Sequence, residues 1–259
     1  MKIVQEHICE LETMKSYPKE LFFSGNLELL KKTKISIVGS RKPSKYSRSL
    51  THQLSAKLSK NGICVVSGGA MGIDAIAHKG AGESNTISVL PCGINIKYPT
   101  INKNLLSTIE NDGLLLSQFE ENFRATPWSF VVRNELVVAL GDVLVVAEAE
   151  LNSGSMRSIE FALKMNKEIY VFAHRIGESS ATNELLKTGN AKAIYDIDEF
   201  VSKYANHEIN ASVMIDDFKN YCQTNPTYDD ALKKYPNKIF EAELSGEIII
   251  ENGRVISSL

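Results

Sequence analysis

Two glycine-containing turns carry the residue types that bind phosphate groups. The first is VGSRKP, residues 38–43, and the second lies within VVSGGAMGIDAIAH, residues 65–78. Each follows a short apolar run and precedes a helix-like segment, an arrangement whose backbone N–H groups bind anions. Arg41 adds a guanidinium that holds phosphate through two hydrogen bonds, and Gly68 and Gly69 allow close backbone approach. The alternative for the first turn is an ordinary strand–loop with an exposed arginine.

Standard nucleotide motifs do not identify the anion. The second turn is not G-x-G-x-x-G, and the chain has no G-K-[ST] sequence, which disfavours a dinucleotide site or a Walker ATPase. Asp74 is predicted to order the turn through local hydrogen bonds. No nucleophile or metal partner is spaced for His78, which is predicted to be a packed or surface residue rather than a base.

A third segment, FRATPWSFVVRNELVVAL, places aromatic residues between cations. Arg124 and Arg133 flank Trp128 and Phe130. This combination suits single-stranded nucleic acid, because the cations follow the phosphates and the rings stack on unpaired bases. For Phe130, simple core packing is an equally good interpretation. Trp128 follows a proline in a predicted loop, where it is expected to be exposed.

A fourth segment, AELNSGSMRS, leads from an apolar run into a predicted helix. Ser153, Gly154 and Ser155 offer small donors at the helix N-terminus, where an anion binds favourably. A helix cap by Ser153 or Ser155 is the alternative, and the two roles are compatible.

The charge is distributed unevenly. The net charge is −2, yet the stretch from Leu29 to Ile73 contains no acidic residue. Its cations are Lys31, Lys32, Lys34, Arg41, Lys42, Lys45, Arg48, Lys57 and Lys60. A cationic run around a glycine turn fits a surface that meets a polyanion better than an ordinary solvated face. Residues 207–259 hold nine acidic and five basic residues, so they lean the other way.

Composition limits the class of protein. The chain has 259 residues, 43% of them hydrophobic and 23% charged, which is ordinary for a globular protein. No apolar run approaches the ~18 residues of a membrane span, and the N-terminus lacks the apolar core of a secretory signal, so we expect a cytoplasmic protein. Four scattered cysteines predict neither a zinc site nor a disulfide framework. No catalytic triad, carboxylate pair, metal cluster or cofactor motif is present, which predicts a protein without enzymatic activity.

Apolar runs alternate with helical patterns through the middle of the chain. The predicted strands are 35–38, 63–66, 86–90, 114–117, 143–147, 168–172 and 193–195. The predicted helices are 47–60, 73–80, 102–110, 133–140, the MRSIEFALKM segment, 184–187 and 196–204. Strands that read as continuous apolar runs indicate a sheet covered by helices on both faces. We therefore predict a doubly wound, mostly parallel α/β domain over 34–205, with ligands at the carboxyl ends of its strands.

Two smaller parts flank this domain. Residues 1–33 are predicted to form a short helical segment. Residues 206–259 contain three helical segments followed by EIIIENGRVISS, a hairpin signal with Asn252-Gly253 as a type I′ turn. Three helices and a hairpin predict a small winged-helix-like domain.

In combination and in this order, five segments resemble the DprA/Smf family of DNA-processing proteins of natural transformation. They are IVGSRKPSKYS, VVSGGAMGIDAIAH, VLPCGINIKYP, FVVRNELVVAL and SGSMRSIEFAL, within roughly residues 18–200. The resemblance implies an extended Rossmann domain that binds single-stranded DNA. It further implies a homodimer that protects incoming DNA, loads the RecA recombinase onto it, does not cleave it and needs no cofactor.

The resemblance also implies which residues contact DNA. The matching positions are Gly39, Ser40, Arg41, Lys42, Gly68, Gly69, Phe130, Arg133, Asn134, Ser153, Gly154 and Ser155. Lys45 and Ala70, from the same two turns, complete the predicted set. The chain departs from the family at Ala173-His174, where many members have proline-glycine. Because Glu241 and Glu243 lie in the third C-terminal helical segment, we expect that domain to make protein contacts or weak duplex DNA contacts.

Two other functions of the same fold remain alternatives. One is a phosphoribohydrolase that cleaves nucleoside monophosphates, whose P-G-G-x-G-T turn is absent here although Glu160 follows the corresponding turn. The other is a sensor of a free nucleotide.

Overall fold

The computed structural model describes residues 2–205, 221–222, 224–236, 238–244, 248–251 and 253–257. The chain divides into two compact units, Met1–Ala205 and Asn206–Leu259. Within the described ranges, no helix combines the length and apolar character needed to cross a membrane.

The first unit is built on one nine-stranded sheet. Its strands are β1 (Lys2–Ile3), β2 (Phe22–Gly25), β3 (Lys34–Val38), β4 (Cys64–Ser67), β5 (Thr86–Leu90), β6 (Leu114–Ser117), β7 (Val143–Val146), β8 (Ile169–Phe172) and β9 (Lys192–Ile194). They lie in the order β1-β2-β6-β5-β4-β3-β7-β8-β9. The seven from β3 to β9 are parallel, whereas β2 runs antiparallel to both β1 and β6. The predicted mostly parallel α/β fold is confirmed.

Helices cover both faces of the sheet. They are α1 (Lys45–Lys60), α2 (Ile73–Ala81), α3 (Lys103–Asp112), α4 (Pro127–Leu140), α5 (Ser155–Lys164), α6 (Ser180–Lys187) and α7 (Ile197–Ser202). Helices α1, α2 and α7 share one core cluster with Ile35 and Ile37, while α4, α5 and α6 share another with Val38 and Leu144. Neighbouring β3 residues thus enter opposite cores, which explains why the strand is apolar throughout.

The N-terminal segment, predicted to be helical, contributes strands to the sheet instead. Phe22 pairs with Ser117 and Phe23 with Leu116, so β2 covers the edge of β6. Phe22 is buried against Leu115, and aromatic residues favour strands in such a half-buried position. The helical content of this segment is limited to short 3-10 turns at Cys9–Thr13 and Leu27–Lys31.

Helix α4 begins six residues earlier than the pattern predicts, so Trp128 lies in a helix rather than in a loop. The Thr126 side chain accepts a hydrogen bond from the Ser129 backbone N–H, and Ser129 Oγ accepts one from the Thr126 N–H. Pro127 takes the first helical position, where its missing N–H costs nothing. This reciprocal cap starts the helix before the apolar pattern becomes visible.

The second unit contains α8 (Tyr228–Lys234), α9 (Lys238–Leu244) and the strands β10 (Ile248–Glu251) and β11 (Arg254–Ser257). The two strands pair antiparallel with Glu251 opposite Arg254, as the hairpin pattern predicts. The turn type depends on Asn252, and most of the first predicted helical segment falls within 206–220; both lie outside the described residues. The winged-helix assignment therefore stays a prediction.

Candidate nucleic-acid interface

A cleft opens where the chain direction across the sheet reverses. Strand β3 leads to β4 on one side, whereas β7 returns to pair with β3 on the other. The loops that follow β3 and β7 diverge at their carboxyl ends, the position at which ligands bind in open α/β sheets. The Ser40 N–H donates to the Glu148 carbonyl at 2.8 Å and joins the two loops at the base of a cleft of about 490 Å³.

The cleft brings together most of the predicted DNA-contacting residues. Its walls include Gly39, Ser40, Arg41, Ala70, Phe130, Arg133, Asn134, Ser153, Gly154 and Ser155. Gly68 lines a small adjoining cavity, and Lys42 lines a separate groove. Gly69 and Lys45 line none of these spaces: Gly69 is buried with its carbonyl accepting from Asn102, and Lys45 is the exposed first residue of α1.

The two glycine turns touch each other through their backbones. The Ile73 N–H donates to the Ser40 carbonyl at 3.1 Å. Gly72 has a φ of +79°, and a Cβ there would collide with the Ser40 carbonyl and the Arg41 backbone. Only glycine satisfies both conditions, so the second turn can hold Arg41 at the mouth of the cleft.

Phe130 forms an aromatic wall beside Arg41. Its ring is half-buried and lines the cleft, with the Arg41 guanidinium 5.6 Å and the Arg133 guanidinium 5.8 Å from its centroid. The Tyr98 ring meets it edge-to-face at 5.8 Å. The ring therefore has an accessible surface beside a cation, as base stacking requires. Trp128 is 62% exposed but packs edge-on against Phe119 and does not line the cleft.

Arg133 lines the cleft but is only 4% exposed. Its Nη1 donates to the Gly68 and Val89 carbonyls, the latter at 3.0 Å, and its Nε donates to Asn134 Oδ1 at 3.1 Å. Three of the five guanidinium N–H groups are thus engaged inside the protein. Arg133, which was predicted to contact DNA, therefore mainly holds the ends of β4 and β5 in place.

Beneath the second turn lie two buried titratable residues. The Ala70 N–H donates to Asp74 Oδ2 at 3.3 Å, so Asp74 orders the turn as predicted. Burial raises the pKa of Asp74, and the charge of Arg133 opposes that shift.

His78 is fully buried, so of the two predicted alternatives, a packed or a surface residue, it is the packed one. Its Nδ1 lies 2.7 Å from Thr86 Oγ1, and that hydroxyl donates to the Val65 carbonyl. Nδ1 is therefore the donor to Thr86, and Nε2 carries the unprotonated lone pair. Burial, aided by the charge of Arg133, lowers the pKa of His78 to about 3.

The turn before α5 contributes a hydroxyl that has no hydrogen-bond partner in the described structure. Ser153 Oγ is buried within the cleft wall and is unpaired there. Neither serine caps α5: the cap residue is Gly154, without a side-chain hydrogen bond. The capping alternative is therefore wrong, whereas an anion accepting from Ser153 would satisfy a hydroxyl that is costly to leave unpaired.

The charged side chains around the cleft differ in whether they are free to bind a ligand. Arg157 pairs with Glu160 at 2.8 Å, and Arg133 is engaged with carbonyls. The Ser180 hydroxyl, by donating to Glu150, keeps the pKa of that carboxyl below its ordinary value, so Glu150 stays ionised. Arg41 is exposed, and none of the ion pairs among the described residues includes it.

Three wall or support residues were not predicted. Tyr98 faces Phe130, Asn102 donates to the Gly69 and Ala70 carbonyls at 3.0 Å each, and Arg157 lines the cleft. Arg157 lies within the SGSMRS segment and was detectable there. Tyr98 likewise lies within the VLPCGINIKYP segment, whereas no local pattern distinguishes Asn102.

The family model and the curated relatives that match this chain all indicate the same protein family. The family model described as DNA recombination-mediator protein A matches residues 5–205. The DNA processing protein DprA of Streptococcus pneumoniae is 34% identical over 184 residues, which are 70% of this chain and 65% of the relative. Protein Smf of Escherichia coli is 33% identical over 178 residues, 67% of this chain and 48% of the relative. The chain thus spans about half to two thirds of these relatives' lengths.

Similar solved structures belong to the same family. DNA processing protein A of Helicobacter pylori, in a structure of its single-stranded DNA binding mode, has a TM-score of 0.76 and 39% identity, covering 78% of this chain and 94% of that one. The S. pneumoniae DprA structure has a TM-score of 0.71 and 31% identity, covering 78% and 72%.

Proposed function

Because the chain belongs to the family of DNA recombination-mediator protein A, we propose that its cleft binds single-stranded DNA. The contacts we assign to DNA are the β3–α1 turn, Phe130 and the Ser153–Ser155 turn, with Arg133 and the glycine pair supporting them. The H. pylori relative, whose structure describes a single-stranded DNA binding mode, supports single-stranded DNA as the ligand.

The observation that carries the proposal is the pairing of Arg41 with the Phe130 ring at the cleft mouth. An exposed guanidinium 5.6 Å from an accessible ring can hold a phosphate while the ring stacks on the neighbouring base. Neither contact reads base edges, so sequence preference should be weak.

Charge reversal at Arg41 tests the proposal. Fluorescence anisotropy with a labelled oligo-dT would compare the wild type, Arg41→Glu and Lys60→Glu. Lys60 is an exposed cation at the far end of α1 and is a matched control for net charge. We expect Arg41→Glu to weaken binding at least tenfold at moderate salt, for oligonucleotides of any sequence, and Lys60→Glu to change it little.

Wild-type affinity should also fall as salt rises, since phosphate neutralisation releases counterions. Equal affinity of Arg41→Glu and the wild type would place the binding surface elsewhere. Failure of the wild type to bind would reject the function itself.

Family membership also supports a role in recombination. The chain is proposed to act as a homodimer that protects incoming single-stranded DNA during natural transformation and loads RecA onto it, without cleaving it. A nuclease-protection assay tests protection of the DNA, and incubation of end-labelled DNA with the protein and divalent metal tests for cleavage. RecA strand exchange on DNA covered by single-strand-binding protein tests RecA loading. Enhanced exchange with intact DNA is expected; release of labelled fragments would contradict the non-enzymatic role.

A free nucleotide is the second candidate ligand, because about 490 Å³ lies within the size range of small-molecule pockets. Incubation with AMP distinguishes nucleotide binding or cleavage from DNA binding. A nucleotide sensor would show saturable binding of AMP that displaces oligo-dT, and a phosphoribohydrolase would release adenine from AMP. A DNA-binding cleft should do neither at AMP concentrations close to those of the DNA.

The C-terminal unit is proposed to contact protein, or duplex DNA weakly. Glu243 is exposed on α9, where a carboxylate repels phosphate. Gel shifts of single- and double-stranded oligonucleotides, with the full chain and with a truncation after Asn206, test this. We expect truncation to leave single-strand binding unchanged; a large loss would assign DNA contacts to this unit.

A further inference from the structure

The groove that Lys42 lines shares Arg41 with the cleft. It is an open space of about 400 Å³ between the start of α1 and one face of α2. Four of its lining residues are cations, Arg41, Lys42, Arg48 and Lys79, and none is acidic. We call this space the basic groove. The acid-free run of the sequence indicated Arg48, whereas only the fold brings Lys79 to it.

Close packing of two helices forms the groove. A Cβ at Gly80 would lie 2.7 Å from the His52 carbonyl, so α2 crosses α1 at a distance that only glycine permits. On α2, Ala75, Ile76 and Lys79 line the groove together because residues three and four apart share one helix face. Arg48 extends from the first turn of α1, so each helix supplies one cation.

The four cations lack carboxylate partners in the part of the chain that the structure describes. Other cations there do pair: Lys57 with Asp198 at 2.6 Å, for example, and Lys97 with Glu110 at 3.0 Å. Among the described residues, no ion pair includes Arg41, Lys42, Arg48 or Lys79. Exposed like charges around one cavity repel each other, and a chain of phosphates would relieve that repulsion.

We propose that the basic groove holds the phosphodiester backbone of the single strand after it leaves the cleft. The inference rests on the proposed function and extends it, with Arg48 and Lys79 as additional phosphate donors. Arg41 lines both the cleft and the groove, so one strand can pass from the first to the second across it. None of the groove's lining residues is aromatic, which suits phosphate rather than bases and distinguishes the groove from the Phe130 wall.

The contributions of the groove and the cleft to DNA affinity can be distinguished by varying the length of the oligonucleotide. Anisotropy would be measured for oligo-dT of roughly 4 to roughly 30 nucleotides, a range that brackets the usual size of such sites. The variants are Arg48→Gln/Lys79→Gln, Arg41→Gln, and Lys60→Gln as the control on the same helix outside the groove. Thermal unfolding would establish that each variant is folded.

The double variant should match the wild type on the shortest oligonucleotide that binds and lose at least fivefold affinity on long ones. On long DNA, the slope of log K against log salt concentration for the double variant should become less steep by about 0.7 for each phosphate contact that is lost. Arg41→Gln should lose affinity at every length, and Lys60→Gln at none.

Several results would overturn the inference while leaving the proposed function intact. One is a double variant that equals the wild type at every length, as expected if the groove binds an acidic protein instead. Others are an equal loss at every length, or a loss with Lys60→Gln as large as that of the double variant. If the wild type binds no oligonucleotide, the proposed function fails first.

Discussion

The guanidinium of Arg133 lies directly against Gly68, in the space that any side chain at that position would occupy. The same guanidinium donates to the Val89 carbonyl at 3.0 Å and thereby joins the ends of two neighbouring strands. Glycine is thus required at position 68 for internal packing, independently of any ligand. The second glycine turn is consequently tied to a buried cation on α4.

Substitution Gly68→Ala should destabilise the protein by about 1–3 kcal/mol, because the new methyl group must displace a buried, hydrogen-bonded guanidinium. Urea denaturation measures the change in the free energy of unfolding. Gly154→Ala is the matched control: it has a helical φ of −61° and nothing within 4 Å of the added methyl group. That variant should gain about 0.5 kcal/mol from the lower entropy of its unfolded chain. Equal effects at both positions would contradict the packing argument.

Removal of the Phe130 ring should weaken oligo-dT binding by about 1–3 kcal/mol, the usual contribution of one stacked base. Trp128→Ala removes a larger and more exposed aromatic two residues away, outside the cleft wall, and should leave affinity unchanged. Anisotropy titrations of both variants give the comparison. A greater loss of affinity for Trp128→Ala than for the Phe130 variant would show that bases stack at the N-terminal end of α4 instead.

The hydroxyl of Ser153 should matter for binding and not for folding. Because Ser153 Oγ has no hydrogen-bond partner in the described structure, Ser153→Ala should leave the unfolding free energy unchanged or slightly raised. DNA affinity should fall by about 1.5 kcal/mol, the size of a hydrogen bond to a charged group. Ser49→Ala removes an exposed serine of α1 that does not line the cleft, and it controls for the loss of a serine. A loss of stability without a loss of affinity would assign Ser153 a structural role.

His78 should make stability depend on pH. Its pKa is about 3 in the folded state and ordinarily near 6.5, so below pH 6.5 the unfolded chain takes up a proton that the folded chain excludes. The stability present above pH 6.5 is therefore lost progressively as the pH falls towards 3. At pH 5 the loss is about 2 kcal/mol relative to pH 8. Urea denaturation of His78→Gln should lack this component, and an identical pH profile for both proteins would reject it.

Several features were predictable because they depend on local residue patterns. The apolar runs placed β3 through β9 within a residue or so, since a strand buried on both faces must be apolar throughout. The turns around Gly39, Gly68 and Ser153 were expected at the strand ends and do line one cleft and its adjoining cavity. The incorrect predictions have equally local causes. Strand β2, FFSG, has only two apolar residues and so lacks a continuous apolar run, and the cap of α4 precedes its apolar pattern.

The sequence by itself determined the alternating fold, the positions of the glycine turns and the excess of cations near the first of them. Only the tertiary structure decided which cations are available to a ligand. Arg133 is occupied by carbonyls 65 and 44 residues away, whereas Arg41 and Lys79, distant in sequence, meet at one groove. The physical reason is that a charged side chain's burial and hydrogen bonds depend on its neighbours in space, which the order of the residues along the chain does not specify.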